Sequence, residues 1–381
     1  MAVRRDLPLD EISRAVLARA EVVAYLNGSH GESGEVAAER VHGYLEELRT
    51  RQRYAIYRAL KHPLYPILRK ITRIAEHVDL VRAATARGRV VYISNHRSHT
   101  DYLIEPLVLD EQGSRPPVLA AGINLFGGPL GLVHRHVTGA IPIRRNTKDP
   151  AYLITLKAYI AEILGRHDLM FYIEGGRSYS GELKPPKTGL VHAALDAGQP
   201  DLVFVPCAIA YDVVLEDFIL SRQKVKRLQR PFSLELAEMV RYAVGYRSRA
   251  FVTFGEPIAV GSVDPSSRRE MLDLAHLVRT RIGGLMKVVP TALVAACLRP
   301  SMARADLVAR VAALIDLLAG AGANLETTDA GAAVDEATRL FEARGIVVNE
   351  QGVLRVRQRT VLRYYARSLD HLLPGAGGKA H

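Results

Sequence analysis

The chain has 381 residues, 48% of them hydrophobic and 24% charged, with 51 Lys and Arg against 40 Asp and Glu for a formal net charge of +11. That balance excludes a disordered chain and one too short to bury a core, and only two cysteines, Cys207 and Cys297, argue against a disulfide framework or a zinc cluster. The positive charge points to an anionic partner, whether a phosphate ligand, an anionic membrane surface or nucleic acid.

Met1 to Pro8 holds no apolar core segment, so no signal peptide is expected. Ile12, Val16, Leu17, Ala20, Val23 and Leu26 recur at helical spacing until Asn27-Gly28-Ser29 stops the helix. A second amphipathic run extends from Glu35 to Leu60, Pro63 and Pro66 break the pattern, and residues 67–84 read as another helix. Residues 1–84 are therefore expected to form a helical N-terminal unit. From there the β-rich runs 90–94, 117–121, 139–144, 169–173, 202–206 and 251–254 alternate with helical stretches. That rhythm predicts an α/β unit over 85–260, with a mixed, partly parallel sheet flanked by helices. Residues 261–381 are expected to form a helical C-terminal unit: a helix from Asp264 through Ile282, helices near 289–299, 303–319 and 333–344, a small hairpin from Ile346 to Val356, and a last helix holding Tyr364, Tyr365 and Leu369. Helices followed by a basic hairpin also fit a winged helix that binds nucleic acid; the motifs below weigh against it. No uncharged apolar run reaches the roughly 18 residues of a spanning helix; Ile282 to Leu298 comes closest and contains Lys287.

The buried run Val90 to Ser94 leads into a polar turn, Asn95-His96-Arg97-Ser98-His99-Thr100-Asp101. His96 then stands at a strand's carboxyl end, where open α/β sheets place their ligands. Asp101 opens the following helix. Five residues is too long a step for one helix face, but it suits a loop histidine facing a carboxylate in the first helical turn. A carboxylate bonded to one ring nitrogen fixes the tautomer and leaves the other nitrogen as a base. Without a G-x-S-x-G nucleophile, such a base would act directly on a substrate hydroxyl. A surface turn whose His and Asp cap a helix would show the same spacing. His96 and His99 could also form a metal pair, although no Cys or further His nearby completes a ligand set, and no metal is expected.

Phe126-Gly127-Gly128-Pro129-Leu130-Gly131 reads as a phosphate cradle or a Gly-Pro turn, with His134 and His136 as a basic rim. Strand alternation puts Arg144 and Arg145 on opposite faces, so one can enter a site while the other meets solvent. Glu174 enters a Gly175-Gly176 turn, either as an acceptor for a substrate hydroxyl or as an orienting partner for arginine. Arg177 follows, and Lys184 and Lys187 extend the cationic stretch or lie on a solvated loop. Ser221 to Arg230 carries five basic residues and no acidic one. It reads as an exposed loop, or as a docking patch for anionic lipid or for an acidic acyl-carrier protein.

Taken together, these stretches resemble the glycerol-3-phosphate acyltransferase family, within the glycerolipid acyltransferases. His96 and Asp101 match the family's first motif, a His, four residues and an Asp. Gly139-Ala140-Ile141-Pro142-Ile143-Arg144-Arg145 resembles the second motif, Phe171 to Ser178 the third, and Phe204-Val205-Pro206-Cys207 the fourth. Pro142 departs from a frequent aromatic, and Tyr179-Ser180 from a more basic or Thr-containing pair. The resemblance implies acyl transfer from a fatty acyl thioester to the sn-1 hydroxyl of glycerol 3-phosphate, giving lysophosphatidate for phospholipid synthesis. Acceptors of the same chemistry are dihydroxyacetone phosphate and lysophosphatidate; a catalytically silent lipid- or nucleic-acid-binding protein is the rival of another class. His96 is then the general base and Asp101 its orienting partner. Arg145, Glu174, Gly176, Arg177, Ser178 and Lys187 are expected to bind substrate, with the phosphate on Arg145 and Arg177. No metal or redox cofactor is implied. The co-substrate is acyl-CoA or an acyl-acyl-carrier protein, and the expected partners are glycerol 3-phosphate, the thioester and an anionic membrane surface, with no nucleic acid. Such an enzyme would sit peripherally on the cytoplasmic side of the membrane.

Overall fold

The computed structural model describes residues 9–28, 33–53, 70–126, 138–222 and 247–373. Three helices come first, α1 (Leu9–Leu17), α2 (Ala20–Asn27) and α3 (Gly34–Leu48). Ser33 caps α3 by accepting from the Val36 N–H. The helix stops well before Leu60, because tertiary bonds take the chain beyond it. The Thr50 N–H donates to the Tyr159 hydroxyl, and the Gln52 side chain to the Pro116 carbonyl.

Of the stretch read as a helix over 67–84, the described residues from 70 onward hold a strand and then a helix: β1 (Ile71–Glu76) and α4 (Val78–Arg87), with left-handed His77 between them. Ile71 to Glu76 pairs in parallel with β7 (Ser248–Phe254), far along the chain. A local helical pattern gives way there to a pairing that only the tertiary structure supplies.

The remaining elements follow the expected rhythm: β2 (Val90–Ser94), α5 (Asp101–Glu111), β3 (Val118–Gly122), β4 (Ala140–Ile143), α6 (Pro150–Leu164), β5 (Leu169–Tyr172), α7 (Gly189–Leu195), β6 (Val203–Tyr211), α8 (Asp217–Arg222) and β8 (Ile258–Ala259). The sheet runs β1-β7-β6-β2-β5-β3-β4, with β8 paired to β6. Neighbours are parallel except at β6–β7 and β6–β8. The sheet is thus mixed and partly parallel, and helices cover both faces. Val90 and Tyr92 enter one core with α4, α5 and the helices after residue 288, while Val91 and Ile93 enter the other with α1–α3, α6, α7 and the helix over 268–285. A strand buried on both sides needs an unbroken apolar run, and Val90 to Ile93 is one.

After the sheet come α9 (Arg268–Leu285), α10 (Pro290–Cys297), β9 (Ser301–Ala303), α11 (Arg304–Gly320), α12 (Ala330–Ala343), the hairpin β10 (Val347–Glu350) and β11 (Val353–Val356), and α13 (Arg359–Ala366). The hairpin turns at Gln351 and Gly352, and β11 also pairs with β9. Among the described residues, no helix is long and apolar enough to cross a membrane.

Candidate active site

The parallel register brings Ser94 beside Tyr172 of β5 and Cys207 of β6. The carboxyl ends of β2, β3, β4 and β5 therefore converge, and His96, Gly122, Arg145 and Gly176 follow or close those ends. Asn95 holds the turn to the sheet. Its Nδ2 donates to the Ile209 carbonyl at 2.9 Å, and its Oδ1 accepts from the Ile209 N–H at 2.8 Å.

The turn folds around Asp101, which is fully buried. Asp101 Oδ2 accepts from the N–H groups of Arg97 at 2.6 Å and Ser98 at 2.9 Å, and lies 2.8 Å from His96 Nδ1. Asp101 Oδ1 accepts from the Tyr211 hydroxyl at 2.6 Å. An ionised carboxylate only accepts, so the network assigns the ring proton to Nδ1 and leaves Nε2 as the basic nitrogen. Burial pushes Asp101 up to about 6, against the bonds from Tyr211 and the Ser98 and Arg97 N–H groups. Burial, then the nearby charges of Arg177, Arg145 and Lys184, hold His96 well below its usual value. At neutral pH the pair is therefore an ionised Asp101 and a neutral His96. The imidazole stacks on Tyr172, with ring centroids 4.1 Å apart and planes 11° apart.

His96 opens onto a pocket of about 110 Å³. His99, Arg145 and Arg177 share its polar wall, while Ala121, Gly122, Ile143 and Leu190 line it with apolar surface. The two adjacent arginines separate as expected, although both lie past Ile143, where β4 ends, so a bend in the chain and not strand alternation parts them. Arg144 turns to Glu47, with bonds of 2.7 and 2.5 Å, and lies over the Tyr44 ring; Arg145 turns into the pocket. The Arg145 guanidinium lies so close over Gly176 that a Cβ there would stand 3.3 Å from Nη1.

The other expected substrate ligands take different places. Glu174 is buried, and its carboxylate accepts from the His96 N–H at 2.9 Å and the Lys184 N–H at 3.1 Å. It joins two backbones behind the pocket wall; neither of the roles read for it from the sequence describes this arrangement. Ser178 is also buried, and its N–H donates to the His96 carbonyl at 3.1 Å. Lys187 is exposed, with its stem against Gly175. Gly175 takes a φ of 66°, in the left-handed region that favours glycine. The Lys184 ammonium caps the carbonyls of Gly176 at 2.6 Å and Arg177 at 2.8 Å.

Tyr172 and Tyr211 escaped the sequence reading. Each ends an apolar strand, and a buried tyrosine hydroxyl that needs a partner was the available signal. Among the described residues, no group of three or more His, Cys, Asp and Glu side chains could hold a metal ion. The stretch beyond Phe126, with His134 and His136, and the basic run from Gln223 to Arg230 lie outside the described residues.

The family model described as Acyltransferase matches residues 70–210, and the model described as Glycerol-3-phosphate acyltransferase C-terminal region matches residues 235–373. The chain belongs to the glycerol-3-phosphate acyltransferase family. It is 31% identical over 379 residues to the glycerol-3-phosphate acyltransferase of Aeromonas hydrophila, a match that covers 90% of this chain and 47% of that protein. The protein of the same name from Actinobacillus succinogenes is 37% identical over 194 residues, 49% of this chain and 24% of its own length. That of Xanthomonas axonopodis pv. citri is 29% identical over 350 residues, covering 83% and 39%. The chain therefore spans about half the length of its first-matched relative, and less of the other two.

Proposed function

We propose that this chain transfers an acyl group from a fatty acyl thioester to the sn-1 hydroxyl of glycerol 3-phosphate, giving lysophosphatidate. The observation that carries the reading is the His96–Asp101 pair, with its free Nε2 facing a pocket that also holds Arg145 and Arg177. His96 Nε2 takes the hydroxyl proton as the oxygen attacks the thioester carbonyl. The tetrahedral intermediate collapses, the carbon–sulfur bond breaks, and the thiolate leaves with the proton held on His96. Asp101 stabilises the imidazolium between those steps. Base catalysis of this kind contributes roughly 10²–10⁴-fold. Charge-assisted bonds from the two guanidinium groups suit a phosphate, and holding it fixes the hydroxyl near Nε2. The apolar wall of Ala121, Gly122, Ile143 and Leu190 suits the acyl end of the donor. A basic chain that makes a lipid fits a peripheral enzyme at an anionic, cytoplasm-facing membrane surface.

The test is free-thiol release from palmitoyl-CoA with glycerol 3-phosphate, dihydroxyacetone phosphate or lysophosphatidate offered separately, and His96→Ala as control. Release that needs glycerol 3-phosphate and His96 is the expected result. Release with another acceptor reassigns the substrate. No release from any pair, with an acyl-carrier-protein donor tried next, would leave a protein that binds lipid without turning it over.

A further inference from the structure

Glu216 ends the apolar run Val213-Val214-Leu215, between β6 and α8, and is 1% exposed. Its Oε1 accepts from the His99 N–H at 2.5 Å, and both of its oxygens lie within 3.0 Å of Ser98 Oγ. The same Oε1 stands 3.7 Å from Nη1 of Arg177, itself 8% exposed. One carboxylate thus touches the turn that carries His96 and Asp101 and the arginine that lines their pocket. The next residue, Asp217, is equally buried but faces Arg344 and Tyr365, neither of which lines that pocket.

A guanidinium is a planar fork, and the place of its charge partner sets the direction of its remaining donors. A carboxylate held by two donors in the catalytic turn cannot swing away with the arginine. We propose that Glu216 is a positioning residue: it orients Arg177 toward a phosphate monoester in the His96 pocket and so sets the reach from that phosphate to the base. This rests on the reading of the pocket as the acceptor site. Glu216 acts through Arg177 and touches no reacting atom.

Glu216→Gln keeps an acceptor for the His99 N–H but removes the charge facing Arg177. The experiment is a double-variant cycle on the full chain with Glu216→Gln, Arg177→Lys and the pair. It reads calorimetric binding of glycerol 3-phosphate and of inorganic phosphate, with acceptor and thioester KM beside them. Glu216→Gln alone should weaken glycerol 3-phosphate binding about tenfold, and add less than about twofold once Arg177 is Lys. Acceptor KM should rise in step while thioester KM holds. Additive effects, or an equal change in both KM values, would overturn the proposal, because a carboxylate that merely supports the fold needs no Arg177 to act through. Should Glu216→Gln fail to fold, Glu216→Asp keeps the charge, draws it back by one methylene and reads the same cycle. Phosphate binding that couples in the cycle without acyl transfer would remove the proposed reaction and leave Glu216 its role. Acyl transfer with an additive cycle would do the reverse. No phosphate binding by the unaltered chain would overturn both.

Discussion

The Tyr211 hydroxyl lies 2.6 Å from one oxygen of Asp101 while His96 Nδ1 lies 2.8 Å from the other, so the tyrosine and the histidine compete for no lone pair. The Tyr211 bond favours the ionised carboxylate and works against burial, which even so leaves Asp101 raised to about 6. A hydrogen bond to a charged group is worth about 1.5–3 kcal/mol. Tyr211→Phe should therefore raise Asp101 further and move the acid limb of kcat/KM to higher pH by about one pH unit. A pH profile of acyl transfer reads this directly. An unmoved limb would mean that Asp101 is not the group whose ionisation the reaction follows.

Asp101 should also trade stability for activity. Its carboxyl is raised from 3.8 to about 6 in the fold, a penalty on the ionised form of about 3 kcal/mol. Between those values the folded chain holds a proton that the unfolded chain has released. Stability is therefore greatest below 3.8 and is lost as pH rises through about 6. Asp101→Asn removes that titration, and its amide can face Tyr211, whose hydroxyl can turn to accept. Activity should fall by about 10²–10⁴-fold. The melting temperature of the variant, relative to the parent, should be higher at pH 8 than at pH 4. A melting temperature that drops more at pH 8 would show that the ionised Asp101 stabilises the fold.

Arg144 and Arg145 make a paired prediction, because they are neighbours in sequence with opposite surroundings. Arg145→Ala removes a pocket guanidinium from an exposed site and should raise acceptor KM by about 10-fold or more with thioester KM unchanged. Arg144→Ala breaks its exposed contact with Glu47, and surface pairs are worth about 0–1 kcal/mol, so acceptor KM should stay within about twofold. Steady-state kinetics on the two variants decides it. Equal effects would mean that the pocket reads net charge and not the particular arginine.

The opposite placement of that pair was read from strand alternation, but β4 ends at Ile143 and both arginines lie in the bend beyond it, so the outcome agrees while the rule does not reach them. The turn from Asn95 to Asp101 was legible because its signals are local: an unbroken apolar run, then polar residues at a helix start. The role of Glu174 was not, since the His96 N–H comes near it only once β5 lies beside β2, and the Lys184 N–H only once the loop after Glu174 folds back. Tyr211 joins Asp101 across the β2–β6 pairing, and no spacing in the chain announces that. β1 was misread because Ile71 to Glu76 finds its partner only at Ser248 to Thr253. The residues that carry charge or a ring nitrogen could be found along the chain; those that hold them in place are defined by neighbours in space.

Gly181 tests how far the C-terminal helices govern the site. Its φ is 90°, its carbonyl accepts from the Arg97 guanidinium, and a Cβ on it would run into the Tyr364 carbonyl oxygen of α13. Close by, Arg279 of α9 donates to the Leu183 carbonyl at 2.7 Å and the Lys184 carbonyl at 2.9 Å, and Arg367 pairs with Glu182. Lys184 in turn caps the carbonyls of Gly176 and Arg177, so movement at Gly181 reaches the arginine of the pocket. Strain at a positive φ and a backbone clash each cost about 1–3 kcal/mol. Gly181→Ala should lower the melting temperature by about 4 °C or more and raise acceptor KM with it. Gly284→Ala is the control: a Cβ there meets nothing within 4 Å on a helix, and the melting temperature should hold or rise. If Gly181→Ala melts with the parent and binds acceptor equally well, α13 rests on this loop without constraining it.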